Sequence, residues 1–317
     1  MKPELYLGID TSNYTTSAAV INAEGQVLVN AKRPLPVGEG ERGLRQSEAV
    51  FAHIKNMPSL MEEVSDYLAG GHLSAIGVSE TPRRAEGSYM PCFLSGVAAA
   101  TAASAAAGVP LYRFSHQCGH LAAAILSSGR HELFSRPFGA FHVSGGTTEV
   151  LYVSGYSERG FTVDLCGGAS DLNAGQLVDR VGVALGLSFP CGPALEKLAA
   201  ENTRKVPSPK ISVRGLSANL SGAENRAASL FRETGDAPFV AAYVLDFIAK
   251  TLVELSRALL AERGDIPILY AGGVMSNRRI REALATCGDT AFAEPAFSAD
   301  NAAGIALLCQ KCHGGRS

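Results

Sequence analysis

The chain has 317 residues, 46% hydrophobic and 18% charged, a balance that supports a core large enough for two domains and excludes a disordered chain. A formal net charge of -2 excludes a globally basic nucleic-acid binder, though not a local basic patch. Seven cysteines, an odd number on a long chain, do not make a disulfide framework and point to a reducing compartment.

In chain order, "MKPELYLGID" runs directly into a strand without a charged-then-apolar leader, which predicts a cytoplasmic protein. "YLGIDTSNYTTSAAVI" (6–21) alternates as strand, polar turn and strand, a β-hairpin with a Ser/Thr/Asn tip. "LSAIGVSE" (73–80) reads as a strand and 94–107 as a helix. The uncharged stretch from Met90 to Tyr112 is built mainly from Ala, Gly, Ser and Thr. Such small residues give little transfer free energy, so it reads as a tightly packed buried helix and not a membrane span. "GAFHVSGGTTEVLYVSG" (139–155) repeats the strand–turn–strand plan with Gly145 and Gly146 in the turn. Helices follow at 173–186 and 238–263, with an exposed polar excursion at 201–215 between them. "IPILYAGGVMSNRRIREALA" (266–285) is again strand, glycine turn and helix.

A strand-rich opening followed by helices, twice over, predicts an α/β protein of two domains related by duplication, with a cleft between them. The expected division is 1–112 and 113–297, with a closing helix at 298–317 packing back on the first domain. Turns of Gly, Ser and Thr present successive backbone N–H groups and hydroxyls, which suit phosphate oxygens. One such turn is ordinary hairpin chemistry. Two at equivalent places plus "AGGVMSN" together resemble the phosphate and adenosine loops of the actin-like ATPase superfold of sugar kinases and heat-shock ATPases, which clamp a nucleotide between duplicated domains.

"HQCGHLAAA" (116–124) places His116 and His120 one helical turn apart on one face, where two imidazoles can share a cation. Gly119 between them lets a ligand or another backbone approach, and Cys118 points elsewhere. Two ligands do not close a site, because a catalytic divalent metal takes three protein groups and an open position. In "FSADNAAGIALL" (297–308), Asp300 stands at a helix start, where it suits either a helix cap or a third ligand. No His-Glu-x-x-His helix supplies a peptidase base, which excludes a protease of that class. "CQKCH" (309–313) matches the haem-attachment spacing but sits on a helix tail without an export signal, so it reads as a soft metal clip or plain surface thiols. Arg83-Arg84, Arg204-Lys205 and Arg278-Arg279 read as solvated surface charges, which become a nucleic-acid footprint only where they converge on one rim.

Several stretches together resemble the tRNA threonylcarbamoyladenosine synthase family, once catalogued as O-sialoglycoprotein endopeptidase. "HQCGH" is similar to its His-x-x-Gly-His signature, "LGIDTSNYTTSAAV" to its first strand–turn–strand, and "VSGGTTEV" to its Ser-Gly-Gly loop. "DLNAGQLVDRVGVALGLSFPCGPALEKLA" (171–199) resembles its Asp/Gly/Asp helix and following Pro-Gly-Gly turn. "GGVMSNRRIR" resembles its nucleotide turn and "DNAAGIA" its closing helix. The resemblance implies one divalent metal, iron or zinc, on His116, His120 and Asp300. It implies phosphate or acyl contacts from Ser144, Gly145, Gly146 and Thr147, and adenylate contacts from Asp179, Gly192 and Asn277. The implied ligand is an adenine nucleotide, ATP or threonylcarbamoyl-AMP. The implied partners are tRNA and a homologous subunit in a homo- or heterodimer, with no membrane. The implied reaction is transfer of threonylcarbamoyl to an adenosine beside the anticodon, an acyl transfer and not proteolysis.

The chain departs from the family pattern on the acceptor side. Asn13-Tyr14-Thr15-Thr16 stands where the family has Cys-Asp-Glu-Thr, and Gln176 where a Glu is usual. Ser221-Gly222-Ala223-Glu224-Asn225 replaces Ser-Gly-Leu-Lys-Thr, and "ETPRRAEGSYMPCF" (80–93) replaces a Gly-Pro-Gly loop. Metal and nucleotide positions are kept. Two further readings therefore stand beside tRNA modification: a carbamoyl-type transferase with another acceptor, and a non-catalytic nucleotide-binding partner of a true synthase.

Overall fold

The computed structural model describes residues 2–12, 14–36, 44–298 and 302–315. The strands are β1 (Glu4–Ser12), β2 (Thr15–Asn22), β3 (Val27–Pro34), β4 (His72–Thr81), β5 (Leu111–Ser115), β6 (Phe138–Val143), β7 (Thr148–Ser157), β8 (Gly160–Ala169), β9 (Ser212–Arg214), β10 (Ser217–Asn219), β11 (Ile268–Ala271) and β12 (Thr290–Phe292). The helices are α1 (Gln46–Leu68), α2 (Phe93–Ala107), α3 (His116–Ser128), α4 (Ala174–Ala184), α5 (Gly192–Ala200), α6 (Ser221–Thr234), α7 (Ala237–Arg263), α8 (Arg278–Leu284), α9 (Pro295–Ser298) and α10 (Ala303–Gly314).

The chain divides into two compact units. Unit 1 holds Met1–Phe134, Gly155–Thr162 and Ala296–Ser317; unit 2 holds Ser135–Ser154 and Val163–Pro295. The sequence boundary at residue 112 thus falls inside unit 1. The reason is packing: an added Cβ at Gly304 of α10 would lie 1.9 Å from the Gly119 carbonyl, and one at Gly8 of β1 would lie 2.5 Å from Ala302 O. α10 therefore lies against both α3 and β1, and ties the histidine helix into the first unit. The far end of the β7–β8 hairpin joins the same unit, where Tyr156 Oη lies 3.1 Å from Cys312 Sγ.

The sheet of unit 1 runs β3-β2-β1-β4-β5. β1 pairs antiparallel with β2 and parallel with β4, and β5 continues parallel. Unit 2 repeats this order as β8-β7-β6-β11-β12, with β10 and β9 added outside β8. β6 pairs antiparallel with β7 and parallel with β11, and β12 continues parallel. The same order and sense in both sheets is the mark of a duplicated plan. β1 and β2 read as near-continuous apolar runs because both faces of the strands are covered. In unit 1, Leu5, Leu7, Ile9, Val20, Ile76 and Val78 form the core with Leu60 and Val64 of α1. In unit 2, α7 supplies the longest buried stripe, from Phe239 to Leu259.

α2 differs from the buried helix expected for 94–107. Only Phe93, Gly96 and Ala100 are buried, while Leu94 and most of the C-terminal alanines are exposed. Gly96 faces β1, where its N–H donates to Thr11 Oγ1 at 3.1 Å. The small residues permit that one close approach, and exposing a methyl group on the other face costs little. Among the described residues no helix is long and apolar enough to cross a membrane.

Candidate functional site

In unit 1 the site is built around Asp10, an acid in the apolar strand β1 with 0% exposure. A carboxylate so buried must be partnered. Its Oδ1 lies 2.9 Å from His116 Nδ1, and its Oδ2 accepts the Ser12 N–H at 3.3 Å. His116 opens α3, whose start is capped by Ser115 Oγ accepting from Cys118 N. One turn on, the His120 ring centroid lies 4.3 Å from that of His116, at 72° between planes. A carboxylate on Nδ1 selects the tautomer and ring orientation that aim Nε2 at a ligand, the arrangement by which proteins orient metal-binding imidazoles. Two imidazoles are donors of the type that suits a borderline transition metal such as zinc or iron, but two alone do not close a site.

Asp300, the expected third ligand, lies outside the described residues. Among the described residues no group of three or more His, Cys, Asp or Glu side chains is placed to hold a metal ion. Gly119 turns out to serve backbone approach and not ligand access, since it and Gly304 bring α3 and α10 into contact. Cys118 is buried, with Sγ 3.6 Å from Phe161 O, and burial pushes its thiol pKa up.

In unit 2, Ser144, Gly145, Gly146 and Thr147 form the turn between β6 and β7, closed by Ser144 N–H donating to Thr147 O at 2.7 Å. α4 starts against this turn. Gly175 N donates to Ser144 O, Asn173 Nδ2 donates to Gly146 O, and an added Cβ at Gly175 would sit 2.5–2.6 Å from the turn backbone. Gly145 and Gly146 have open space beside them. A cavity of about 240 Å³ lies beside the turn, and Gly145, Asp179, Gly192 and Asn277 all line it. Ser144, Gly146 and Thr147 share the turn with Gly145 but do not line the cavity. Apolar walls come from Val178, Leu245, Val274 and Ile280, and a second acid, Glu196, joins Asp179. Both acids are anchored: Asp179 Oδ1 accepts from Cys191 N at 2.9 Å, and Glu196 Oε1 from Arg278 N at 2.8 Å. Asn277 caps α8 by accepting from Ile280 N at 3.1 Å. An apolar slot with glycine backbone at one end and fixed acids on the rim can hold a base, hydroxyl groups and a phosphate.

The chain's departures have structural partners of their own. Gln176 Oε1 accepts from Asn173 N at the start of α4, and Glu224 pairs with Arg180 at 3.1 Å. Asn13 lies outside the described residues. Arg83 and Arg84 are exposed on the loop after β4. Of the other basic pairs, Arg204 bridges Asp236, Arg278 bridges Glu282 and Arg279 bridges Asp246, so these three charges are already compensated within the chain. The surface-thiol reading of "CQKCH" is overturned. Cys309 and Cys312 face inward because α10 buries that side against β1 and β4, and burial raises the Cys309 pKa well above its ordinary value.

The model of the tRNA N6-adenosine threonylcarbamoyltransferase family matches residues 40–307. The chain belongs to that family. Among solved structures, it is similar to T. kodakarensis HypF at 14% identity and TM-score 0.62, covering 99% of this chain and 48% of that one. It is also similar to component A of the (R)-2-hydroxyglutaryl-CoA dehydratase of Acidaminococcus fermentans (15% identity, 98% and 99% covered, TM-score 0.54). A third is the activator of the 2-hydroxyisocaproyl-CoA dehydratase of Clostridium difficile with bound ADPNP (12% identity, 98% and 96% covered, TM-score 0.53). These likenesses show the fold, the actin-like ATPase superfold expected from the turns.

Sequence reasoning missed Asp10 and Glu196. The signal for Asp10 was an acid interrupting an apolar strand; for Glu196 it was an acid one helical turn beyond Gly192, on the face that begins at the glycine.

Proposed function

We propose that the chain transfers a threonylcarbamoyl group from threonylcarbamoyl-AMP to the exocyclic amine of a tRNA adenosine, with a divalent metal held by His116, His120 and Asp300. The observation that carries this reading is the Asp10–His116–His120 arrangement in unit 1, in a chain whose unit 2 offers a glycine-lined slot of nucleotide character. Family membership and the nucleotide bound in one structural relative support it.

In this reading unit 2 binds the adenylate. Val178, Leu245 and Ile280 take the adenine, Asp179 and Glu196 accept from ribose hydroxyls, and the N–H groups of the Gly145–Gly146 turn face the phosphate. Asp10 keeps His116 in the tautomer that presents Nε2 to the metal. When bound, the metal supplies a Lewis acid for the oxygen that gains charge during acyl transfer. The reaction joins the amine nitrogen to the carbamoyl carbon and breaks the bond from that carbon to the phosphate oxygen. AMP leaves with the electron pair, and the amine gives up a proton.

A second reading, transfer to a different acceptor, is favoured by one observation: Arg204, Arg278 and Arg279 are each engaged by a carboxylate of the chain. One experiment separates the two. Purified protein is given threonylcarbamoyl-AMP and unmodified tRNA, and nucleosides are analysed by mass spectrometry. Threonylcarbamoyladenosine formed by wild type and lost in His120→Ala supports tRNA modification. Adenylate binding without any tRNA product contradicts it and selects the other acceptor.

A further inference from the structure

The loop from α4 to α5, "LGLSFPC" (185–191), has no charged residue. Its backbone is fixed on both sides of Phe189. Before it, Leu187 N donates to Gly182 O at 2.9 Å and closes the end of α4. After it, Cys191 is wholly buried, and its N–H donates to Asp179 Oδ1 at 2.9 Å. An added Cβ at Gly182 would lie 2.3 Å from Cys191 Cβ, so the loop packs tightly on α4 at that point. Between these anchors Phe189 is 75% exposed, more than any other large hydrophobic side chain among the described residues.

Exposure alone would make Phe189 an ordinary surface residue. Its place in the fold sets it apart. Pro190, Gly192 and Pro193 line the slot assigned above to the adenylate, so Phe189 is one residue from the cavity wall. Among the described residues that form this wall there is no aromatic side chain; the apolar members are Val178, Leu245, Val274, Ile280 and the two prolines. Aliphatic walls cover one face of a planar base. The other face is met best by a second flat ring, which stacks on it and excludes water.

Asp179 both lines the slot and holds the loop. In the adenylate reading its carboxylate receives ribose hydroxyls, and the base is joined to that same ribose, whereas the phosphate lies at the glycine turn. The loop is therefore registered on the base end of the ligand. Exposed side chains change rotamer within nanoseconds, so the ring can turn onto a bound base while the anchored loop stays in place.

We propose that Phe189 is a specificity-determining residue of the slot: its ring stacks on the outer face of the adenine and makes the slot prefer a purine nucleotide to a pyrimidine one. Ribose and phosphate contacts are the same for every nucleotide, so this preference falls to the surfaces that touch the base, and a purine offers the larger face. The inference rests on the adenylate reading of unit 2 and is independent of the metal reading.

The test is calorimetric titration of the full chain with AMP and with UMP. Phe189→Ala is expected to weaken AMP binding about five- to tenfold and UMP binding by less than about twofold, so that the AMP-to-UMP preference falls. Phe189→Tyr, which keeps the flat face, is expected to retain wild-type affinity for AMP. The melting temperature should not move, because the side chain lies in solvent. In wild type with labelled Phe rings, NMR contacts are expected from the adenine H2 proton to a ring signal that disappears in Phe189→Tyr. Should Phe189→Ala not fold, Phe189→Leu keeps apolar bulk without the flat face and is expected to lose AMP affinity in the same direction. AMP affinity unchanged in the folded variant assigns the ring to another surface role and overturns the proposal, as does equal loss of AMP and UMP. Wild type that binds neither nucleotide sinks the adenylate reading itself, whereas wild type that binds AMP no more tightly than folded Phe189→Ala sinks this inference alone.

Discussion

In unit 1 the β1–β2 hairpin closes on Ser12 opposite Thr15, and the polar side chains near its tip, Asp10, Ser12, Thr16 and Ser17, are buried. In unit 2 the β6–β7 hairpin, at the same place in the strand order, ends on Gly145 and Gly146, which are exposed and have open space beside them. In the proposed reading, one frame thus carries two kinds of site. The first works through side chains that must be held in a given tautomer and direction. The second works through backbone and needs side chains to be absent. A substitution at one tip should therefore damage a different ligand from a substitution at the other.

The largest expected separation comes from Asp10→Asn. It removes the charge that orients His116, and metal affinity should fall by about 10–100-fold, while adenylate affinity stays within twofold (roughly) of wild type. Titration calorimetry with zinc and with an adenylate on one preparation reads both. Next is Gly175→Ala. Its Cβ would lie 2.5 Å from Ser144 O and 2.6 Å from the Gly145 backbone, so the turn must shift. Overpacking of this kind costs ~1–3 kcal/mol, and adenylate affinity should drop about tenfold with zinc binding unchanged. Equal loss of both ligands in either variant would dissolve the distinction between the tips.

The smallest effect belongs to the scaffold of unit 2. Asp171 is partly desolvated, which raises its pKa, but hydrogen bonds from Ser221 Oγ and from the N–H groups of Leu220 and Ser221 at the start of α6 outweigh this and lower it. Its folded-state pKa therefore lies below 3.8, so its stabilisation is present above that value and is lost as pH falls through the folded-state pKa. Asp171→Asn should cost about 1 kcal/mol at neutral pH and nearly nothing in strong acid. Thermal melts across that range check the sign.

Much of this was legible in the chain because the signals are local. Both hairpins, the strand at β4 and the long helix α7 follow from alternation, turn residues and apolar runs. The matching 3-2-1-4-5 order is made by pairings between distant segments, as when β1 takes β4 as its parallel neighbour, and no local pattern encodes them. Asp10 escaped because an acid beside "TSN" reads as turn chemistry, and only the fold brings His116, 106 residues away, to its carboxylate. The exposed face of α2 and the buried thiols of α10 were misread for one reason. Composition gives the cost of burying a residue, whereas which face is covered depends on the neighbouring element. The unit boundary moved likewise, because Gly304 and Gly119 fit together only in three dimensions.

The account stands on the two imidazoles acting as ligands. The most direct measurement is metal content per chain, by mass spectrometry after zinc loading and desalting, for wild type, His116→Ala and His120→Ala. The account predicts about one metal per wild-type chain and well below half that in either variant, given three protein ligands at such a site. Metal retained in full by both variants, or none held by a folded wild type, would contradict it.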